Sequence, residues 1–140
     1  MSERELHILI VDDNAFYRQG LKMHLKRLCP KCTVMELSDG QSFIDYISST
    51  YTDLVFMDIK MPGMDGIQAT KKALTLFREI KIIALTMFAN HQYLLDMIAA
   101  GAKGYLIKDF DPSELNTAIT NVLNGGTYYS KNALSTLTSQ

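Results

Sequence analysis

Residues 52–66 read T-D-L-V-F-M-D-I-K-M-P-G-M-D-G, and this stretch organises the rest of the chain. Its apolar run, Leu54–Met57, is typical of a strand that is buried on both faces of a parallel sheet. Asp58 ends that run, and the residues after it are rich in the Pro and Gly that form turns. Open α/β sheets place their chemistry at the carboxyl ends of the strands. Asp58 is therefore the first candidate for a functional residue.

Four other short apolar runs have the same character: His7–Val11, Thr33–Leu37, Lys81–Leu85 and Gly104–Ile107. The segments between the runs carry apolar residues at helical spacing. Five strands that alternate with five helices predict an α/β fold, with a doubly wound, five-stranded parallel sheet and helices on both faces. The expected strand order is the flavodoxin-like 2-1-3-4-5.

The composition is that of an ordinary globular domain, with 140 residues, 47% hydrophobic and 21% charged. The last predicted helix ends at Gly125–Gly126, so we expect one domain over residues 1–126 and a tail, or the start of a linker, over residues 127–140. The formal net charge is -1, which gives no basic surplus for binding nucleic acid. Neither a signal-peptide core nor an apolar run of about 18 residues is present. We therefore expect a cytoplasmic protein that by itself binds neither nucleic acid nor membranes.

Polar side chains follow four of the five predicted strands: Asp12 and Asp13, then Asp58, Thr86 and Lys108. In a parallel sheet these strand ends lie on one edge. Three clustered carboxylates repel one another unless a divalent cation joins them, and Mg²⁺, or another hard ion such as Mn²⁺, suits such oxygen ligands. A carboxylate can also accept a phosphoryl group and form an acyl phosphate. The pattern therefore indicates phosphoryl transfer, in which Lys108 and the metal neutralise charge and Thr86 bonds a phosphoryl oxygen.

These motifs resemble those of the receiver domains of two-component response regulators, over about residues 6–126. The matching elements are the pair Asp12–Asp13, the run D-I-K-M-P-G-M-D-G from Asp58, Thr86, and G-Y-L-I-K from Gly104. The runs A-G-A-K-G-Y-L-I-K-D and N-G-G-T-Y-Y-S are most similar to the subfamily with a C-terminal helix-turn-helix of the LuxR/NarL type.

The resemblance implies a role for each of these residues. Asp58 would accept phosphate from a histidine kinase phosphohistidine, and Mg²⁺ would be bound by Asp12, Asp13, Asp58 and the backbone carbonyl of Lys60. Thr86 and Lys108 would contact the phosphoryl group. Tyr105 would be the switch aromatic, which turns inward when Thr86 moves toward the phosphate.

The implied protein is a signalling switch and not an enzyme, beyond catalysing its own phosphorylation and slow autodephosphorylation. Its partners would be a histidine kinase and, on phosphorylation, a second copy in a homodimer. It would control transcription through a DNA-binding domain that this chain lacks.

Three positions depart from the family pattern. Asp109 stands where the family usually has Pro, and Met87 stands where it usually has a small residue. We expect Met87, with Phe88, to screen the phosphoryl site partly from water. Lys60 occupies a position that faces the site entrance in the family, where its ammonium would meet either the phosphate or the donor.

Other interpretations fit parts of the pattern. Asp12–Asp13 alone would suit a helix cap, and each of the other residues has an equally ordinary structural explanation. A haloacid-dehalogenase-like phosphatase needs D-x-D after the first strand, and a flavodoxin needs a Ser/Thr/Gly-rich phosphate loop there. Neither is present. A receiver that acts as a phosphate-independent interaction module remains the alternative.

The C-x-x-C motif at Cys29–Cys32 follows a predicted helix end, whereas redox pairs lie at helix N-termini. Zinc needs about four ligands, and His24 alone is near in sequence. The spacing is therefore attributed to chance.

Overall fold

The computed structural model describes residues 5–138, with side chains through residue 135. The strands are β1 (His7–Val11), β2 (Thr33–Leu37), β3 (Leu54–Asp58), β4 (Ile82–Thr86), β5 (Gly104–Ile107) and β6 (Tyr128–Tyr129). They form one parallel sheet in the order β2-β1-β3-β4-β5-β6. The helices are α1 (Ala15–Leu28), α2 (Gly40–Ile47), α3 (Gly66–Leu76), α4 (His91–Ala100), α5 (Pro112–Leu123) and α6 (Lys131–Thr138). Across this described range, none of the helices is long and apolar enough to cross a membrane.

The predicted α/β fold, with the order 2-1-3-4-5 and helices on both faces, is confirmed. Alternate residues of each central strand point to opposite faces. Ile10 and Phe56 pack with α1 and α5 on one face, whereas Leu9 and Val55 pack with α2 and α3 on the other. Helix α4 covers the same face as α3, over β4 and β5. Strands β3 and β4 are buried along their whole length, which explains why their sequences are continuous apolar runs.

The prediction of five strands is wrong by one, because residues 127–138 continue the fold. Tyr128 N donates to Lys103 O at 3.0 Å, and Ser130 N donates to Tyr105 O at 3.0 Å, so β6 extends the sheet beside β5. Helix α6 then packs on α4 and β5 and buries Ala133. The stretch interpreted as a tail or linker is therefore folded through Thr138. A strand of two residues has no periodicity from which it could be predicted.

The attribution of the Cys29–Cys32 spacing to chance is wrong, because the two cysteines are bonded to each other. Cys29 is the C-cap of α1, and the turn that follows brings the Cys29 and Cys32 Cα atoms to 5.4 Å, where the two sulfurs form a disulfide. Both residues are buried in the core beside α1. The motif lies at the end of α1, as the sequence indicated, and not at a helix N-terminus.

The start of α3 is held close to the end of β3. Gly66 N donates to Ile59 O at 2.8 Å, and a Cβ atom on Gly66 would lie 2.1 Å from Asp58 O. Asp65 caps α3 in a reciprocal pair of hydrogen bonds with Gln68. This close approach fixes the loop that follows Asp58.

We expect Gly66→Ala to lower the free energy of unfolding by about 1–3 kcal/mol, because the new methyl group must displace backbone atoms. Gly20→Ala is the matched control, since Gly20 lies within α1 and a Cβ there meets nothing within 4 Å. We expect Gly20→Ala to raise the free energy of unfolding by about 0.5–1 kcal/mol, because it lowers the entropy of the unfolded chain. Urea unfolding of both variants checks this. A Gly66→Ala variant as stable as the wild type would contradict the close approach.

Candidate functional site

The polar residues predicted at the strand ends do meet at one edge of the sheet. The parallel register pairs Val11 with Met57, Asp58 with Leu85 and Thr86 with Ile107, so strands β1, β3, β4 and β5 end together. The residues that stand at or directly after these ends are Asp12, Asp13, Asp58, Thr86 and Lys108.

Three carboxylates form the centre of this edge. One carboxylate oxygen from each of Asp12, Asp13 and Asp58 lies within 4.8 Å of the others. Asp12 is fully buried and Asp58 is 5% exposed, whereas Asp13 is exposed. Asn14 N donates to Asp12 Oδ1 at 2.8 Å, which orients the buried carboxylate. The predicted acidic cluster is therefore present.

The Lys108 ammonium group lies within this cluster. Lys108 Nζ donates to Asp12 Oδ2 at 2.7 Å and lies 3.2 Å from Asp58 Oδ1, and its side chain is 7% exposed. Its backbone is fixed by a hydrogen bond from Lys108 N to Thr86 O at 2.7 Å. One ammonium faces three carboxylates, so the cluster keeps an excess of negative charge.

Burial and this excess of negative charge both act on the pKa of Asp58. Burial and the neighbouring Asp12 carboxylate raise the pKa of Asp58 from 3.8 to about 6, and Lys108 opposes part of the rise. At neutral pH the group is mainly ionised, in a place where its charge is poorly solvated. A second cation would relieve this repulsion.

The donor set fits a hard divalent cation. Carboxylate oxygens are the ligands that Mg²⁺ and Mn²⁺ prefer, and no His or Cys belongs to this cluster. Lys60, whose carbonyl is the fourth predicted ligand, lies in the loop directly after β3. Its ammonium stands 5.7 Å from the centre of the Tyr93 ring on α4. The ligand role of its carbonyl stays a prediction.

Thr86 and Tyr105 are both buried, on neighbouring strands. Thr86 is 2% exposed and its Oγ1 accepts from Phe88 N at 3.3 Å. Tyr105 is 1% exposed, and its hydroxyl has no hydrogen-bond partner among the residues that the structure describes. Burial raises the pKa of Tyr105 to about 12, and the nearby Thr86 hydroxyl opposes the rise. Met87 and Phe88 are about two-thirds exposed, so screening by Met87 stays a prediction.

Two residues of the site were not singled out from the sequence. The Tyr17 ring centre lies 4.3 Å from Lys108 Nζ, although in the sequence Tyr17 stands at helical spacing with Leu21 and Leu25, as a core residue would. Arg18 donates to the backbone oxygen of Asp12 at 2.6 Å and forms an ion pair with Glu36. Both residues lie near the start of the helix that begins beside Asp12–Asp13, and this position could have indicated that they belong to the site.

Comparison with known proteins gives one consistent family. Residues 8–120 match the model of the response regulator receiver domain. The uncharacterized transcriptional regulatory protein YhcZ of Bacillus subtilis strain 168 is 38% identical, over 88% of this chain and 56% of that protein. The response regulator UvrY of Escherichia coli strain K12 is 33% identical, also over 88% and 56%. This chain therefore spans little more than half the length of these relatives.

A solved structure agrees with these relatives. A two-component response regulator of the LuxR family from Aurantimonas sp. SI85-9A1 superposes on this chain with a TM-score of 0.90. The two are 30% identical, and the match covers 97% of each chain. The two structures are therefore similar over nearly the whole chain.

The raised pKa of Asp58 makes the stability of the fold depend on pH. A carboxyl whose pKa is higher in the folded state stabilises the fold below its unfolded pKa of 3.8, and this contribution is lost as the pH rises through about 6. Asp58→Asn removes the ionisation. In buffer without divalent cations we expect it to raise the free energy of unfolding at neutral pH by about 1–2 kcal/mol, a value reduced for solvent screening.

Urea unfolding of Asp58→Asn and the wild type over a pH series measures the difference, which should grow between pH 3.8 and about 6 and then stay constant. Asp53→Asn is the control, because Asp53 precedes the opposite end of β3 and accepts from His7 N at 2.8 Å. Asp53→Asn should not raise the free energy of unfolding. An Asp58→Asn variant no more stable than the wild type at neutral pH would contradict the raised pKa of Asp58.

Proposed function

Because this chain belongs to the response regulator receiver domain family, as its motifs predicted, we propose that it is a switch activated by phosphorylation of Asp58. The observation that carries the proposal is the position of Asp58, at the end of β3, beside two further carboxylates and 3.2 Å from the Lys108 ammonium. The donor would be a phosphohistidine of a histidine kinase, and the setting would be the cytoplasm.

The proposed reaction is a direct phosphoryl transfer. An ionised Asp58 oxygen attacks phosphorus, the bond from phosphorus to the histidine nitrogen breaks, and the imidazole leaves with the electron pair and takes up a proton. The raised pKa of Asp58, about 6, still leaves the carboxylate mainly ionised at neutral pH. Lys108 would bind a phosphoryl oxygen, and the Thr86 hydroxyl would donate to another. Catalysis of this kind is mainly positioning and neutralisation of charge.

Asp12, Asp13, Asp58 and the backbone carbonyl of Lys60 would hold Mg²⁺ or Mn²⁺. When bound, the ion would neutralise the carboxylates and the phosphoryl oxygens together. Slow hydrolysis of the acyl phosphate would reset the switch, and no further enzymatic activity is proposed.

The output would pass from Thr86 to Tyr105 and then to the surface formed by α4, β5 and α5. A second route would run to α6, because Ser130 N donates to the backbone oxygen of Tyr105 and α6 packs on α4 and β5. Tyr105 and Ala133 of α6 lie in the same apolar cluster, so a turn of the Tyr105 ring would also disturb α6. We propose that residues 1–126 form the receiver and that residues 127–140, although folded through Thr138, lead toward an effector domain that controls transcription. Phosphorylation would promote a homodimer.

The proposal predicts one phosphoryl adduct on the wild-type chain after incubation with Mg²⁺ and acetyl phosphate, measured by intact mass. The adduct should require the divalent cation and should be absent from Asp58→Asn. Lys108→Ala should form it at least tenfold more slowly, because a charge-assisted contact contributes about 1.5–3 kcal/mol.

Asp53→Asn is the matched control, since it changes another buried aspartate beside β3 and should leave the adduct unchanged. An adduct that persists in Asp58→Asn would contradict the assignment of the acceptor. No adduct with acetyl phosphate or with a phosphorylated kinase would instead favour the phosphate-independent interaction module.

A further inference from the structure

The Lys108 ammonium contacts an aromatic ring as well as two carboxylates. The centre of the Tyr17 ring lies 4.3 Å from Lys108 Nζ, well within the range of a cation–π interaction. The Lys108 side chain is 7% exposed, so the interaction is largely shielded from water. Tyr17 is itself partly buried and packs on the apolar cluster between the sheet and helices α1 and α5. The ammonium is thus held between an aromatic face and an acidic pair.

The ring is fixed by the same loop that fixes Asp12. Tyr17 N donates to Asn14 Oδ1 at 3.1 Å, which caps α1, and Asn14 N donates to Asp12 Oδ1 at 2.8 Å. Arg18 also binds the backbone oxygen of Asp12. The position of Tyr17 relative to the acidic cluster is therefore set by the helix start and not by the flexible lysine stem.

A neutral aromatic partner has an advantage that a further carboxylate would lack. Lysine has a long flexible stem, and its contacts with Asp12 and Asp58 are made to the same groups that the proposed metal needs. The Tyr17 ring attracts the ammonium without competing for the metal and without adding a negative charge that would repel a phosphoryl group. Burial and the charges of Asp12 and Asp58 raise the pKa of Tyr17, so the ring stays uncharged.

We propose that Tyr17 is a positioning residue for phosphoryl transfer, whose ring holds the Lys108 ammonium in place to meet the phosphoryl group. The inference rests on the function proposed above. It assigns the effect to the ring and not to the hydroxyl, which is buried and has no hydrogen-bond partner among the residues that the structure describes. Tyr17→Phe keeps the ring, whereas Tyr17→Leu keeps an apolar side chain and removes the aromatic face.

The test compares the wild type with Tyr17→Phe and Tyr17→Leu in the full chain, with acetyl phosphate as donor and saturating Mg²⁺. Tyr17→Leu should slow phosphorylation of Asp58 by about five- to thirtyfold, the effect of losing a shielded cation–π contact. Tyr17→Phe should stay within about twofold of the wild type, since it keeps the ring face. Tyr51→Leu is the matched control, because Tyr51 is exposed in the loop before β3, at the opposite end of the sheet. It should leave the rate unchanged.

A second readout reports the contact without any reaction. In ¹H–¹³C NMR spectra recorded without donor, the ring current of residue 17 should shift the Lys108 side-chain resonances upfield in the wild type and in Tyr17→Phe. The shift should disappear in Tyr17→Leu, while urea unfolding shows that all variants are folded. Lys108→Ala identifies the resonances.

The outcomes separate this inference from the function on which it rests. A wild-type chain that is phosphorylated at the same rate as Tyr17→Leu would overturn the role of Tyr17 alone, as would a Tyr17→Phe variant as slow as Tyr17→Leu. A wild-type chain that accepts no phosphoryl group would overturn the proposed function, and the positioning role with it.

Discussion

The carboxylates of Asp12, Asp13 and Asp58 share one edge of the sheet with the Lys108 ammonium group, and several parts of the structure hold these charges in place. Asp12 and Asp58 are buried, and the pKa of Asp58 rises to about 6, first because burial removes water from its carboxylate and then because Asp12 repels it. Such an arrangement destabilises the isolated chain. It also creates a strong and localised negative potential, which Lys108 and a divalent metal would neutralise together.

Several unrelated parts of the fold converge on this edge. The parallel register brings four strand ends level, and the caps of the following helices orient the residues next to them. The close approach of Gly66 to Asp58 O fixes the loop after β3. Lys108 is held by Thr86 O through its backbone and by the Tyr17 ring through its side chain. The charged cluster is thereby positioned by rigid elements.

Much of this could be predicted from the sequence, for a physical reason. An apolar run that ends in a polar residue specifies both a buried strand and what stands at its end, so Asp12, Asp58, Thr86 and Lys108 were found from local patterns. Tyr17 was not found, because an aromatic residue at helical spacing looks the same whether it fills the core or contacts an ammonium. Tyr128–Tyr129 was missed because so short a strand depends on pairing with β5, a long-range contact that no local pattern records. The Cys29–Cys32 bond likewise depends on the turn that ends α1.

Of the three clustered carboxylates, we expect Asp58 alone to become an acyl phosphate. Borohydride reduces an aspartyl phosphate to homoserine but leaves a free carboxylate intact, so peptide mass spectrometry of the reduced chain locates the modified residue. After incubation with Mg²⁺ and acetyl phosphate, we expect homoserine at position 58 and aspartate at positions 12 and 13. Homoserine at position 12 or 13, or at none of the three, would contradict it.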